Sequence, residues 1–175
     1  MNLFLIGYRC SGKTTNGKSI AAAINWSFVD VDNLLVEAFG KQINDIVDTE
    51  GWHVFRRRER SILRQICEKQ RQVVATGGGV VLDADNVRAM QASGIIIGLG
   101  ARAATIRKRM LQDINTANFR PALTSKGLIA EIEDVLSQRN PGYESASDLF
   151  IHTDGVPVVE ITQTIIAKIR HRLGV

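Results

Sequence analysis

Leu3-Phe4-Leu5-Ile6-Gly7-Tyr8-Arg9-Cys10-Ser11-Gly12-Lys13-Thr14-Thr15 runs from an apolar strand through a glycine-bounded loop into a helical pattern. Gly7 to Thr14 fits G-x-x-x-x-G-K-[ST], and the strand before it and helix after it supply the context that gives the pattern meaning. Gly7 and Gly12 permit a tight backbone path on which successive N–H groups converge on phosphate oxygens. The helix expected over Lys13 to Ile24, with Ile20, Ala23 and Ile24 on its buried face, adds the positive end of its dipole. Lys13 suits β- and γ-phosphates, and the Thr14 hydroxyl suits Mg²⁺. Cys10, Ser11, Gly12, Lys13, Thr14 and Thr15 are therefore the candidate ATP contacts, with Cys10 read as a small filler rather than a nucleophile. A glycine turn with a chance lysine explains none of the flanking pattern.

Outward from this loop, short β-rich runs alternate with helical ones. Phe28 and Val29 open a second strand that runs into Asp30-Val31-Asp32, and Val73 to Ala75 form a third, stopped by Gly77-Gly78-Gly79. Ile95 to Leu99 give a fourth, Leu149 to Ile151 a fifth, and Val158 to Leu173 a closing helix. Strands separated by helices imply right-handed crossovers and a parallel sheet covered on both faces. The expectation is a three-layer α/β/α domain with five parallel strands, spanning 1–175 as a single unit. In such sheets chemistry collects beyond the carboxyl ends of the strands, where these motifs fall.

The bulk properties narrow the class. At 175 residues, 45% hydrophobic and 23% charged, the chain can build one proper core. No apolar run reaches the ~20 residues that cross a bilayer, and Met1 to Ile6 reads as a strand, not a leader. Cys10 and Cys67 make neither a disulfide framework nor a metal spacing, which fits a reducing cytoplasm. A net charge of +4 suits small anions or nucleic acid equally and decides nothing.

Several side chains gather around a presumptive acceptor. Asp30 and Asp32, two apart at a strand end, point to one side if the backbone stays extended. One can serve Mg²⁺ and the other the attacking hydroxyl; the alternative is a pair of solvated acids, one capping a helix before Asn33-Leu34-Leu35. Trp52, Phe55, Ile62, Leu63 and Ile66 form a helical stripe whose vacant place is filled by Glu59. A carboxylate on an apolar face is costly unless paired, and Arg56, three residues earlier, is the nearest partner. That pair either aims a guanidinium at a substrate carboxylate or is purely structural. Arg57, Arg60 and Arg64 fall on the polar side and read as solvated. Gly77 to Gly79 offer backbone to a ligand or are simply a turn. Gln112 to Asn118 is polar and strand-poor, a mobile lid expected over about 111–126, which would carry Arg120 over the transferring group. Arg139, at the end of a helix expected from Leu128 and stopped by Asn140-Pro141, is a second possible clamp.

The ordered set Gly7 to Thr15, Asp30-Val-Asp32, Phe55-Arg56-Arg57-Arg58-Glu59, Ala75-Thr-Gly-Gly-Gly79, Arg120-Pro121 and Arg139-Asn-Pro-Gly-Tyr143 resembles the shikimate kinase family from Leu3 to about Ile169. The resemblance implies a P-loop NTPase sheet with a lid and transfer of phosphoryl from Mg·ATP to the shikimate 3-hydroxyl, in chorismate and aromatic amino-acid biosynthesis. By that likeness Thr14 and Asp30 serve Mg²⁺, and Asp32 binds the reacting hydroxyl. Arg56 and Arg139 clamp the carboxylate, with Gly78 and Gly79 beside them and Gly78 donating from its backbone. Lys13 and Arg120 act at the phosphates, and Arg109 lies against the adenine. The partners implied are ATP and shikimate alone, acted on by a cytoplasmic monomer with no nucleic acid or membrane. Cys10, Ala122 and Gly142 depart from the family's usual residues without removing a chemical group.

Rival readings are another small-molecule kinase, for gluconate or a nucleoside monophosphate, and a nucleic-acid-dependent ATPase using Arg56 to Arg64. Glu50, Glu59 and Glu68 interrupt that basic run, and stacking aromatics are few. A non-catalytic ATP-binding homologue would have no use for Lys13, Asp32 and Arg120 together.

Overall fold

The first strand, β1 (Asn2–Ile6), is buried along its whole length. It lies at the centre of a five-stranded sheet in the order β2-β3-β1-β4-β5, every pairing parallel. The other strands are β2 (Ser27–Asp30), β3 (Gln72–Ala75), β4 (Gly94–Gly100) and β5 (Leu149–His152). A strand covered on both faces has no polar side to show, hence the unbroken Leu-Phe-Leu-Ile run. The computed structural model describes residues 1–112, 123–124, 127 and 129–173.

Alternation along the strands sorts the core into two layers. Phe4, Ile6, Val74 and Ile96 face one way, while Leu3, Leu5, Val73, Ile95 and Ile97 face the other. The second face is covered by α1 (Lys13–Ile24) through Ile20 and Ala21, and by α7 (Val158–Leu173) through Ile161, Ile165 and Ile169. The first is covered by α2 (Val31–Phe39), α3 (Ile43–Cys67), α4 (Ala84–Ser93), α5 (Ala103–Gln112) and α6 (Ile132–Ala146). The three-layer parallel architecture expected from the sequence is present. Among the described residues, no helix is long and apolar enough to cross a membrane.

Four local readings change. The second strand stops at Asp30, whose side chain accepts from the backbone N–H of Asp32 and Asn33 and so starts α2. Asp32 is therefore in a first helical turn, not on extended backbone. The helix begins well before Trp52, at Ile43, with a break at Gly51 (φ 83), a left-handed conformation that glycine adopts freely. The helix carrying Arg139 starts at Ile132 and runs through Pro141 to Ala146, so Arg139 sits mid-helix rather than at its end. Arg60, expected in solvent, is ion-paired with Asp83. Leu111 and Gln112 complete α5. Arg120, Pro121, Ala122, Leu128 and most of the expected lid lie outside the described residues.

Candidate active site

The carboxyl ends of all five strands meet one edge of the sheet, and two cavities open there. The larger, about 400 Å³, is bordered by Cys10, Gly12 to Asn16, Asp30 and Asp32, with Arg109 and Thr153 beyond. Gly12 is the residue before α1 and has φ 100, which carries the chain from the loop into the helix with its N–H groups facing inward. Lys13 is 7% exposed, and its ammonium donates to the carbonyls of Gly7 at 2.9 Å and Tyr8 at 2.8 Å. A charge so held stands over the loop rather than in bulk water.

The two oxygens of Asp30 are used separately. Oδ1 accepts from the N–H of Asp32 at 3.1 Å and of Asn33 at 3.4 Å, while Oδ2 accepts from the Thr14 hydroxyl at 2.9 Å. A hydroxyl and a carboxylate side by side next to a phosphate loop are hard oxygen donors for a small divalent cation. Among the described residues no group of three His, Cys, Asp or Glu side chains could hold a metal. A cation here would draw its remaining ligands from phosphate and water, as Mg²⁺ does.

The second cavity is tighter, about 50 Å³, and five charged side chains, Arg9, Asp32, Arg56, Glu59 and Arg139, line it together with Gly77 to Gly79. The stripe on α3 carries Glu59 inward to 1% exposure, where its carboxylate meets the Arg56 guanidinium at 2.6 Å. Burial pushes the Glu59 carboxyl above its ordinary value, and the charge of Arg56 pulls it only part of the way back. The guanidinium carbon also lies 5.0 Å from the Phe55 ring centre and 5.4 Å from that of Trp52. Charge and aromatic faces together fix the fork.

The glycines are there for room. A Cβ on Gly79 would collide with the Arg56 guanidinium, and one on Gly77 with Glu59 Oε1, whereas one on Gly78 would meet only ordinary contacts at 3.5–3.8 Å. Arg139 and Tyr143, four apart on α6, both donate to the Gly78 carbonyl, the arginine at 3.2 Å. The Gly78 group so engaged is its carbonyl. Burial pushes the Tyr143 hydroxyl up to about 12, so it stays a donor at any working pH.

Among the described residues, Asp32 alone borders both cavities. The residues expected at the nucleotide, Cys10 to Thr15, Asp30 and Arg109, surround or abut the first, and those expected at the acceptor, Asp32, Arg56, Gly78, Gly79 and Arg139, surround the second. Sequence reasoning missed Arg9, Trp52 and Thr153 as wall residues. Arg9 stands at one of the unspecified positions of the loop pattern, and Thr153 carries no motif of its own.

A family model described as shikimate kinase matches residues 9–170. A Syntrophotalea carbinolica protein named shikimate kinase 2 is 37% identical over 163 residues, covering 93% of this chain and 94% of its own. An Oleidesulfovibrio alaskensis shikimate kinase is 41% identical over 145 residues, 83% of this chain and 84% of its own. Among solved structures, shikimate kinase from Acinetobacter baumannii in complex with shikimate superposes with TM-score 0.90 at 27% identity, covering 98% of this chain and 93% of that one. A Sinorhizobium meliloti gluconokinase shares the fold alone, with TM-score 0.58 at 17% identity over 97% of this chain and 91% of that one.

Proposed function

The chain belongs to the shikimate kinase family, and on that premise we propose that it moves the γ-phosphoryl group of ATP onto the 3-hydroxyl of shikimate, giving shikimate 3-phosphate and ADP for chorismate and aromatic amino-acid biosynthesis. It is an ATP-dependent kinase. The observation that carries the acceptor reading is the position of Asp32, among the described residues the one side chain common to the phosphate-loop cleft and the arginine-lined cavity.

In this reading the loop N–H groups hold the phosphates and Lys13 leaves its two carbonyl partners to meet the β–γ region. Thr14 and Asp30 would hold Mg²⁺, which supplies charge neutralisation between the β- and γ-phosphates. Arg56 and Arg139 take the shikimate carboxylate, and Glu59 keeps the Arg56 fork planar to it. Asp32 accepts a hydrogen bond from the reacting hydroxyl, aligns its oxygen with the γ-phosphorus and receives the proton as the bond to the β-phosphate oxygen breaks. Positioning and charge do most of the work, so Asp32 needs no strongly basic carboxylate. Arg120 would complete the charge from the lid, which shuts out water as a competing acceptor. In this reading the enzyme works as a cytoplasmic monomer on ATP and shikimate.

ADP release measured with shikimate, gluconate, AMP, CMP and no acceptor, with and without Mg²⁺, tests this. Release should require shikimate and Mg²⁺. Equal release without acceptor would make the protein an ATPase, and release with gluconate alone would move it to the neighbouring kinase class.

A further inference from the structure

Arg109 stands in the last turn of α5, and its guanidinium has three partners on the far wall of the nucleotide cavity. Nη1 donates to the Cys10 carbonyl at 3.1 Å and to Thr153 Oγ1 at 3.0 Å; Nη2 donates to the Thr153 carbonyl at 2.8 Å. Thr153 follows β5 directly and is 1% exposed. Its own N–H donates to the Gly100 carbonyl at 2.8 Å. Its hydroxyl has one proton to give and two carbonyls in range, Ser11 at 3.1 Å and Gly100 at 3.2 Å. A single residue therefore ties together the phosphate loop, the end of β4 and the Arg109 fork. Val156 and Val158 follow on the same cavity wall. A planar guanidinium held beside apolar side chains suits the flat face of a purine.

We propose that Thr153 is a positioning residue for the nucleotide, fixing the Arg109 guanidinium and the Ser11 segment of the phosphate loop in one arrangement through its hydroxyl. This rests on the nucleotide cavity being the ATP site. The hydroxyl is the part that matters, because valine has the same shape and none of the hydrogen bonds. Its loss leaves the fork on the Cys10 and Thr153 carbonyls alone and takes one of the two acceptors that orient Nη1, so the cost falls on nucleotide affinity and spares the acceptor.

The test is a double-mutant cycle on Thr153 and Arg109, read by calorimetric titration of Mg·ADP and by KM for ATP and shikimate. Thr153→Val should weaken ADP and raise KM for ATP on the order of tenfold, as expected for a lost bond to a charged group. KM for shikimate should change less than about twofold, and Thr153→Ser should restore nucleotide affinity. In an Arg109→Ala background, Thr153→Val should cost clearly less than in the wild type, because one of the two groups it positions is gone and only the Ser11 segment remains. Full multiplication of the two effects, or equal loss toward both substrates, would overturn the proposal and leave Thr153 a scaffold residue. If Thr153→Val does not fold, Thr153→Ser and Arg109→Lys decide: wild-type ADP affinity in the lysine variant, which keeps charge and loses the fork, overturns it. Wild-type protein that binds ADP but does not phosphorylate shikimate would fail the acceptor reading while leaving this titration intact.

Discussion

The nucleotide side and the acceptor side of this site are built by opposite means. One short stretch, Cys10 and Gly12 to Asn16, supplies the heart of the first, with backbone N–H groups and one lysine as its tools. The second takes Arg9 from the loop, Asp32 from α2, Arg56 and Glu59 from α3, three glycines after β3, and Arg139 from α6. A backbone cradle depends on chain path, which neighbouring residues determine among themselves. A cage of side chains depends on five segments arriving together, and each charge must be neutralised by another. The first tolerates drift in its surroundings; the second carries buried ions whose partners cannot be removed singly without leaving an unpaired charge.

That contrast can be broken at several points. The largest loss is expected for Lys13→Ala, with kcat down by about 10³ or more and shikimate affinity unchanged, since charge near the transferring group acts mainly in the transition state. Rate and circular dichroism measured on one preparation check it, and near-normal turnover in folded protein would remove the loop from the mechanism. Asp32→Asn comes next, with kcat falling roughly 10²–10³-fold and KM for both substrates moving far less. Because Asp32 borders both cavities, a change confined to one KM would assign it to that side alone.

The glycines sharpen the comparison. Gly79→Ala should push the Arg56 guanidinium away from Glu59, lowering the melting temperature by a few degrees while KM for shikimate rises about 10–100-fold and KM for ATP holds. Gly78→Ala, where a Cβ finds ordinary contacts, should do little. Equal effects from the two substitutions would mean that backbone flexibility, not room for Arg56, is what the glycines provide.

The smallest effect concerns Glu59. Its folded pKa lies above the ordinary 4.5, so between that value and the raised one the folded protein binds more protons than the unfolded chain. Stability from this group is then full at low pH and declines as pH rises past about 4.5, the reverse of Asp83, Asp148 and Asp154, whose carboxyls are held low. Urea midpoints of wild type and Glu59→Gln from pH 4 to 8 should show the wild-type advantage shrinking as pH rises. An advantage that grew instead would mean Arg56 dominates burial and keeps the carboxylate charged.

Legibility in the sequence followed the same division. The loop, α1 and all five strands could be read because apolar runs and a spaced motif are local signals. Glu59 could be read because a carboxylate breaking a helical stripe must find a partner, and Arg56 was the nearest. The junction at Asp30 was read two ways, as a strand running on to Asp32 or as a cap before Asn33, because an aspartate after two apolar residues suits both; its capping bonds decide for the second. The helix of Arg139 was cut short at Pro141, a usual stop; here the missing N–H costs one bond toward Ser137, and the helix goes on to bring Tyr143 beneath Gly78. Thr153 was invisible because its partners lie 142, 53 and 44 positions away in sequence.

Asp30 carries a consequence for how such a protein can change over generations. One of its oxygens starts a helix and the other reaches the hydroxyl beside the phosphates, so two demands share one carboxyl group. Asparagine would keep the helix start and forfeit the charge; glutamate would keep the charge and overreach the cap. Neither demand can be relaxed without disturbing the other, and because Asp32 follows in the first turn, the acceptor side inherits any error. Heredity can vary the exposed positions of the helix that follows, but at Asp30 architecture and chemistry must mutate together or not at all.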